Sequence, residues 1–232
     1  MAPTPAAFLA GVNGNFGLLS QRSLLAGAGN YWVATNPTPG TAIAYSLKTG
    51  YSATANGLFS LSNSQPTGGR SMYLDRLKLI QTATAPTGTL SMRAEVYAET
   101  GIRAITTAAL AVTPVNVNSS ITDAFPGTCT FFSAGAGTVP AAVGTRSLVG
   151  IGEIATGVTV QYDSFTFDFG NDGPPSGKNG GAAARATDPA DQVTTMPPVC
   201  IPPGNSVFFN LWWVTQAANT PSFEFSLGIV CI

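Results

Sequence analysis

The chain reads as an all-β protein, because strand-forming stretches alternate with turn signals and no helical period is sustained. Glycine and proline, 26 and 17 residues of 232, punctuate the whole length. The segments between them are rich in Val, Ile, Phe, Tyr and Thr, and no apolar pattern of helical period extends for about twelve residues. Short, evenly spaced strands separated by turn residues are the signature of a sandwich or barrel. A hydrophobic content of 44% over this length supplies the core of one domain without disulfide staples. The expected organisation is an irregular N-terminal arm over residues 1–30 and a single antiparallel β-sandwich over 31–232.

Taken in order, the arm contains only a short apolar run at 6–12 with no basic residue before Arg22, which does not suit a signal peptide. No run of about 18 apolar residues offers a membrane span. The chain is therefore expected to be soluble and made in the cytoplasm. Residues 72–82 and 89–99 read as two strands joined by the turn at 83–88, and are expected to pair antiparallel. In 89–99, Leu90, Met92, Ala94, Val96 and Ala98 alternate with Ser91, Arg93, Glu95, Tyr97 and Glu99, giving one buried and one polar face. That pairing would bring Arg76 and Lys78 near Glu95 and Glu99.

Alanine-containing segments at 106–111 and 182–186 are long enough for one helical turn each. Residues 157–169 begin with Val158, Val160 and Tyr162 on one face and then change phase to Phe165, Phe167 and Phe169. A two-residue period cannot change face without a bulge or a second burial surface, so a bulge near Asp163 and Ser164 is expected, or a strand passing from core to interface. Residues 170–192, rich in Gly, Pro and Ala, have no burial signal and are expected to form a long exposed loop.

Residues 205–215 are apolar on both faces, with Val207, Phe209, Leu211 and Trp213 opposite Phe208, Trp212 and Val214. Such a strand is central under a covering layer, or it meets a neighbouring subunit. The last strand, 222–232, alternates Phe223, Phe225, Leu227, Ile229 and Cys231 with smaller or polar residues. An apolar chain end of this kind is expected to pair inside a sheet.

Charge is the scarcest commodity in the chain. Only 9% of residues are Asp, Glu, Lys or Arg, histidine is absent, and the net charge is −1, whereas soluble domains average roughly 25% charged residues. Neutral Thr, Ser, Asn, Gln, Gly and Ala must then cover the outside, and such a surface is cheap to desolvate against a partner. Without histidine, Ser/His/Asp and Cys/His catalysis are excluded. The basic residues are scattered, which leaves no field for nucleic acid.

Asp163, Asp168 and Asp172, with Asp188 and Asp191 further on, form the closest carboxylate grouping. Their spacing fits turn-capping better than a glycosidase pair or a calcium loop. Cys129, Cys200 and Cys231 lack metal-ligand spacing and read as small hydrophobes, with a Cys200–Cys231 bridge as the other option. The triplet Asn118-Ser119-Ser120 is read as a chance glycosylation match. Tyr31, Trp32, Trp212 and Trp213 could form a sugar-stacking platform, but adjacent tryptophans in a strand point to opposite faces, so core and subunit interface are the favoured roles. No cofactor, metal or catalytic residue is assigned.

Three segments together, YLDRLKLIQTATAPTGTLSMRAEVYAETGIR at 73–103, FTFDFG at 165–170 and MPPVCIPPGNSVFFNLWWVTQAANTPSFEFSLGIVCI at 196–232, resemble tailed-bacteriophage virion proteins. The resemblance is to the cement or decoration proteins of the capsid, and it implies a jelly-roll-like sandwich seated on the major capsid shell. The expected function is accordingly non-enzymatic: a virion protein that binds the outside of the shell and stabilises it, partnered by the major capsid protein and by itself as a dimer or trimer. Nucleic acid and membrane are not expected partners. The interface is expected at Phe208, Trp212, Phe165, Phe167, Arg76 and Arg93. The alternative is a carbohydrate- or receptor-binding module of a tail or head fibre.

Overall fold

A computed structural model describes residues 21–44, 57–83, 89–102, 109–132, 145–158, 164–170, 191–213 and 222–232. A helix, α1 (Gln21–Gly27), is followed by β1 (Tyr31–Thr35), β2 (Ile43–Ala44), β3 (Gly57–Asn63), β4 (Met72–Ala83) and β5 (Thr89–Glu99). Then come β6 (Ala109–Val112), β7 (Val115–Asn116), β8 (Gly127–Phe132), β9 (Arg146–Val158) and β10 (Ser164–Phe169). The chain closes with β11 (Asp191–Met196), β12 (Val199–Ile201), β13 (Ser206–Trp213) and β14 (Ser222–Cys231).

The strands form two packed sheets, an all-β sandwich. One is eight-stranded, in the order β11-β10-β4-β14-β1-β7, with β12 and β2 on its margins; the other is six-stranded, in the order β6-β8-β3-β13-β5-β9. Among the described residues all pairings are antiparallel except β10 with β11, which run parallel. The apolar faces meet in one core. Phe209 stacks on Phe59 at 5.2 Å within its own sheet and meets Phe167 of the other sheet edge-on at 5.3 Å. Phe131 and Phe225 stack across the same gap at 3.5 Å.

Several expectations change here. The strands at 72–82 and 89–99 exist, but β4 pairs β14, β10 and β12 in the eight-stranded sheet, whereas β5 pairs β13 and β9 in the other. The Arg76 and Lys78 pairing with Glu95 and Glu99 is therefore overturned. Each strand has one apolar face, and crossing between sheets lets both faces look inward at each other. In register, Arg76 lies opposite Asp168 and Gly228, while Arg93 lies opposite Glu153 and Glu99 opposite Arg146.

The phase change at 157–169 has the same origin. Val158 ends β9 in one sheet and Phe165 belongs to β10 in the other, so the two ends of this segment belong to different strands, while Val160 and Tyr162 lie outside the described residues. Asp163 lies outside the described residues. The apolar strand at 205–215 is β13, central between β3 and β5, with a bulge between Phe209 and Asn210. The final strand pairs inside the sheet between β4 and β1, as expected.

Two irregular segments contain ordered structure. Within the 1–30 arm, residues 21–27 are helical, and Asp191 and Gln192, assigned to the 170–192 loop, begin β11. Residues 109–112 are strand rather than part of a helical turn. Residues 1–20, 171–190 and the 182–186 segment lie outside the described residues.

Helix α1 buries no residue and is too short to persist alone. Its end is fixed by a Schellman closure: Asn30 N–H donates to Leu25 O at 2.9 Å and Gly29 N–H to Ala26 O at 3.0 Å, with Gly29 at φ 72°. Asn118 Nδ2 donates to Gly27 O at 3.0 Å and Asn116 Nδ2 to Gly29 O at 2.8 Å, tying the helix end to β7.

Candidate functional site

Three of the chain's few charged side chains converge. On the outer face of the eight-stranded sheet, Arg22 of α1 donates from Nε to both oxygens of Asp75 at 3.0 and 2.8 Å, and from Nη2 to Asp168 Oδ1 at 3.3 Å. Tyr31 Oη donates to Asp75 Oδ2 at 2.6 Å. The tyrosine crosses Gly228, where a Cβ would collide with its hydroxyl and lie 3.3 Å from Asp75 Oδ2. Burial, followed by the hydrogen bond to Asp75, pushes the Tyr31 hydroxyl well above its ordinary range, so it remains a donor. Arg22 is also raised: burial opposes its charge, but the hydrogen bond and the fields of Asp75 and Asp168 outweigh it.

This constellation joins α1, β1, β4 and β10. It holds a helix on a sheet, and every group in it is engaged with another member. Asp168, the carboxylate weighed for glycoside chemistry, has its charge spent on Arg22. Replacing Asp75 by Asn is expected to lower stability by about 1–2 kcal/mol, since Arg22 is partly solvated. The same change should release the α1 amides to hydrogen exchange; unchanged protection across residues 21–27 would show that something else holds the helix.

Neutral amides do similar work inside. Asn63, fully buried, donates from Nδ2 to Arg70 O and Ile201 O, both at 2.9 Å. Asn36 Oδ1 accepts from Phe225 N–H at 2.9 Å. Composition placed asparagine on the surface, but these residues are internal staples that satisfy backbone groups where strands end. Asn118 folds the glycosylation triplet into a turn, its Oδ1 accepting from Ser120 N–H at 3.1 Å.

The expected interface residues fare differently. Phe165, Phe167 and Phe208 are buried within the chain, so none is available to a partner. The first two face the inter-sheet core, where their apolar area is worth most. Phe208 lies on the other face of β13, in register with Ser60 and Tyr97, and all three are closed to solvent. Arg76 is exposed. The side chains of Trp212 and Arg93 lie outside the described residues. Trp32 is core and Tyr31 points to the opposite face, which dismantles the Tyr31–Trp32 platform. Cys129, Cys200 and Cys231 are free thiols, the first and last buried.

Most of the exposed large apolar groups lie on or beside strands at the sheet edges; Ile102, after β5, and Ile232, after β14, are exposed as well. On β9, Leu148, Val149 and Ile151 are 47, 37 and 48% exposed; on and beside β7, Val115 and Val117 are 67 and 46% exposed. β11 packs beside β9, while β7 lies with β6 and β8 around a cavity, so the two apolar edges occupy opposite flanks of the sandwich. That cavity, about 360 Å³, is lined by Trp32, Val112, Val115, Asn116, Asp123 and Phe125 among others. Trp32 and Phe125 meet edge-on at 5.4 Å in its wall. Among the described residues there is no cluster of three metal-ligating side chains. No helix among them is long and apolar enough to cross a membrane.

Sequence reasoning missed these edges because β9 and β7 give weak signals: β9 carries three glycines and β7 has two residues. An apolar residue flanked by glycines is unremarkable until the sheet order leaves its strand at an edge. Comparison with protein families, curated proteins and solved structures finds no match.

Proposed function

We propose that this protein is a non-enzymatic structural component of a phage virion that binds the outside of the capsid shell and stabilises it, meeting the major capsid protein and further copies of itself. The observation that carries this reading is the pair of exposed apolar edges on opposite flanks of a rigid, nearly uncharged sandwich. A cement must touch two neighbours at once, and a body with one sticky flank cannot. Two weak contacts, repeated by shell symmetry, add through effective concentration rather than through individual affinity. The resemblance of the 73–103, 165–170 and 196–232 segments to cement and decoration proteins supports the same reading, as does a polar inventory spent on holding the fold. The jelly-roll-like wiring and the capsid-surface location belong to this proposal.

The test is binding of the purified protein to capsids that lack it. Saturable binding at a fixed ratio to the major capsid protein, with a higher temperature of shell rupture, is the expected result. Absence of binding at any concentration would remove the shell reading.

The fibre-module reading has one observation in its favour: the cavity combines Trp32 and Phe125 with Asn116 and Asp123, the residue types that stack on and hydrogen-bond to sugars. Asn116, however, already spends Nδ2 on Gly29 O and Oδ1 on Asn118 N–H, and Trp32 is 5% exposed. Its polar groups serve the fold first. Saturable binding on a glycan array that Asp123→Ala abolishes would favour this reading over the cement one.

A further inference from the structure

We infer that the cavity walled by β1 and β7 on one side and β6 and β8 on the other binds a small organic cation, an amine on a slim apolar body, with its tail against Trp32, Val112 and Phe125 and its ammonium at Asp123. The site goes beyond the assembly reading, which needs the edges and not the space between the sheets.

The strand registers place the cavity inside the sandwich. Trp32 of β1 lies opposite Asn116 of β7, while Val112 of β6 lies opposite Cys129 of β8, itself opposite Leu61 of β3. Trp32, Val112, Cys129 and Leu61 all belong to the buried core, and directly opposed residues share a face. Both sheets therefore turn their inner faces to the cavity, which is an unfilled end of the core. The chain crosses between the sheets at 113–114 and returns over 117–126, and residues of both crossings line the space. The returning segment is fixed in place. Ile121 N–H donates to Asn118 O at 3.0 Å, Ser64 N–H donates to Pro126 O at 3.2 Å, and Phe125 meets Trp32 edge-on at 5.4 Å. A preformed wall spares the ordering cost of binding.

The dimensions select a slim occupant. Stacked sheets lie about 10 Å apart, and a helix with its side chains is about as thick as that whole gap. Only a group about one side chain wide enters. The volume is about 360 Å³, and an apolar cavity of about 150 Å³ already takes benzene. Trp32, Val112 and Cys129 are 5, 7 and 1% exposed and give an apolar floor, where a hydrocarbon body removes more surface from water than water itself can.

The rim selects the charge. Asn116 spends Nδ2 on Gly29 O and Oδ1 on Asn118 N–H, and Thr113 and Thr128 are neutral. Asp123 is the only charged residue among the described residues that line the cavity, it is exposed, and among the described residues it has no hydrogen bond or ion pair. Its carboxylate attracts an ammonium and repels an anion. An apolar floor with one carboxylate at the mouth is complementary to an aliphatic amine.

The test is calorimetric titration of the full chain with n-hexylamine, with n-hexanol and hexanoate as its neutral and anionic counterparts and n-butylamine as the shorter homologue. Saturable one-to-one binding is expected, at least about threefold tighter for hexylamine than for hexanol and weakest for hexanoate. Butylamine should bind about tenfold more weakly than hexylamine, because two fewer methylenes are buried. In nuclear magnetic resonance spectra the Trp32 indole N–H, assigned through Trp32→Phe, and the amides of residues 111–116 and 121–129 should shift on titration. Asp123→Asn should bring hexylamine down to the affinity of hexanol with an unchanged melting temperature, and Asp123→Lys should make hexanoate the preferred ligand. Val112→Phe, which fills the floor, should abolish binding of all four. Equal affinity for hexylamine and hexanoate, no dependence on chain length, or shifts confined to residues away from the cavity overturns the site. Displacement of hexylamine by methyl glucoside overturns it too, in favour of the fibre reading. Amine binding by a chain that never binds capsids would sink the shell reading and leave this one standing; capsid binding without amine binding would do the reverse.

Discussion

Replacing Phe209 by alanine is expected to lower the unfolding free energy by about 3–5 kcal/mol, a large share of what a single domain has to lose. The reason is its position where the two sheets meet. Phe209 is fully buried, stacked on Phe59 with the rings 9° from parallel, and edge-on to Phe167 and Phe169 of the opposite sheet at 5.3 and 6.3 Å. Removing it takes away a ring's worth of apolar burial and unseats three other rings, which have no backbone freedom to close the space because each sits in a paired strand. Chemical denaturation at neutral pH measures the loss. Leu148→Ala, on the exposed edge, serves as the control and should change stability by no more than about 0.5 kcal/mol. A loss below about 1 kcal/mol for Phe209→Ala would mean that the two sheets are not held together at this point.

Stability should also fall steeply in alkali, and the buried thiols set the window. Burial pushes Cys129 from 9.0 up to about 12, and Cys231 likewise to about 12, with nearby Arg70 opposing the shift in the second case. Below pH 9 both thiols are neutral in the folded and unfolded chain, and their contribution is fully present. As pH rises through 9 the unfolded chain loses its thiol protons while the folded chain keeps them, so unfolding becomes more favourable by about 1.4 kcal/mol per pH unit for each thiol. Cys129 alone then accounts for about 4 kcal/mol by pH 12. Tyr31, whose hydroxyl is also held protonated, adds to the loss above the ordinary tyrosine range. Denaturant midpoints at pH 8 and pH 10.5 test this, with Cys129→Ala expected to flatten the decline. An identical slope in the variant would show that the thiol titrates freely in the fold.

The strand content was legible because its cause is local. Alternation in 89–99 and 222–232 follows from the two-residue repeat of a pleated chain, and the structure places β5 and β14 there. Pairing was not legible. The segments at 72–82 and 89–99 look like a hairpin because sequence neighbours joined by a short turn usually pair, yet here β4 and β5 belong to different sheets. Nothing in either segment distinguishes the two arrangements, since both strands have one apolar face in each. The seven-residue helix at 21–27 was hidden for a different reason: its hold on the fold comes from Arg22 reaching residues 53 and 146 positions away.

The candidate surface divides in the same way. Low charge, absence of histidine and an uncharged polar inventory are properties of composition, legible without coordinates, and the proposal of assembly rather than catalysis starts from them. Which residues stay exposed is a property of sheet order. Phe165, Phe167 and Phe208 are the most apolar residues of their segments and for that reason are buried by the chain itself, whereas Leu148, Val149 and Ile151 stay exposed because β9 is last in its sheet. Sequence alone determined that this protein is built of short β-strands around one apolar core, since side-chain period and turn chemistry act over a few residues. The tertiary structure decided which strands became neighbours, where Arg22, Asp75 and Asp168 meet and which edge residues stay exposed, because those depend on contacts between residues far apart in the chain.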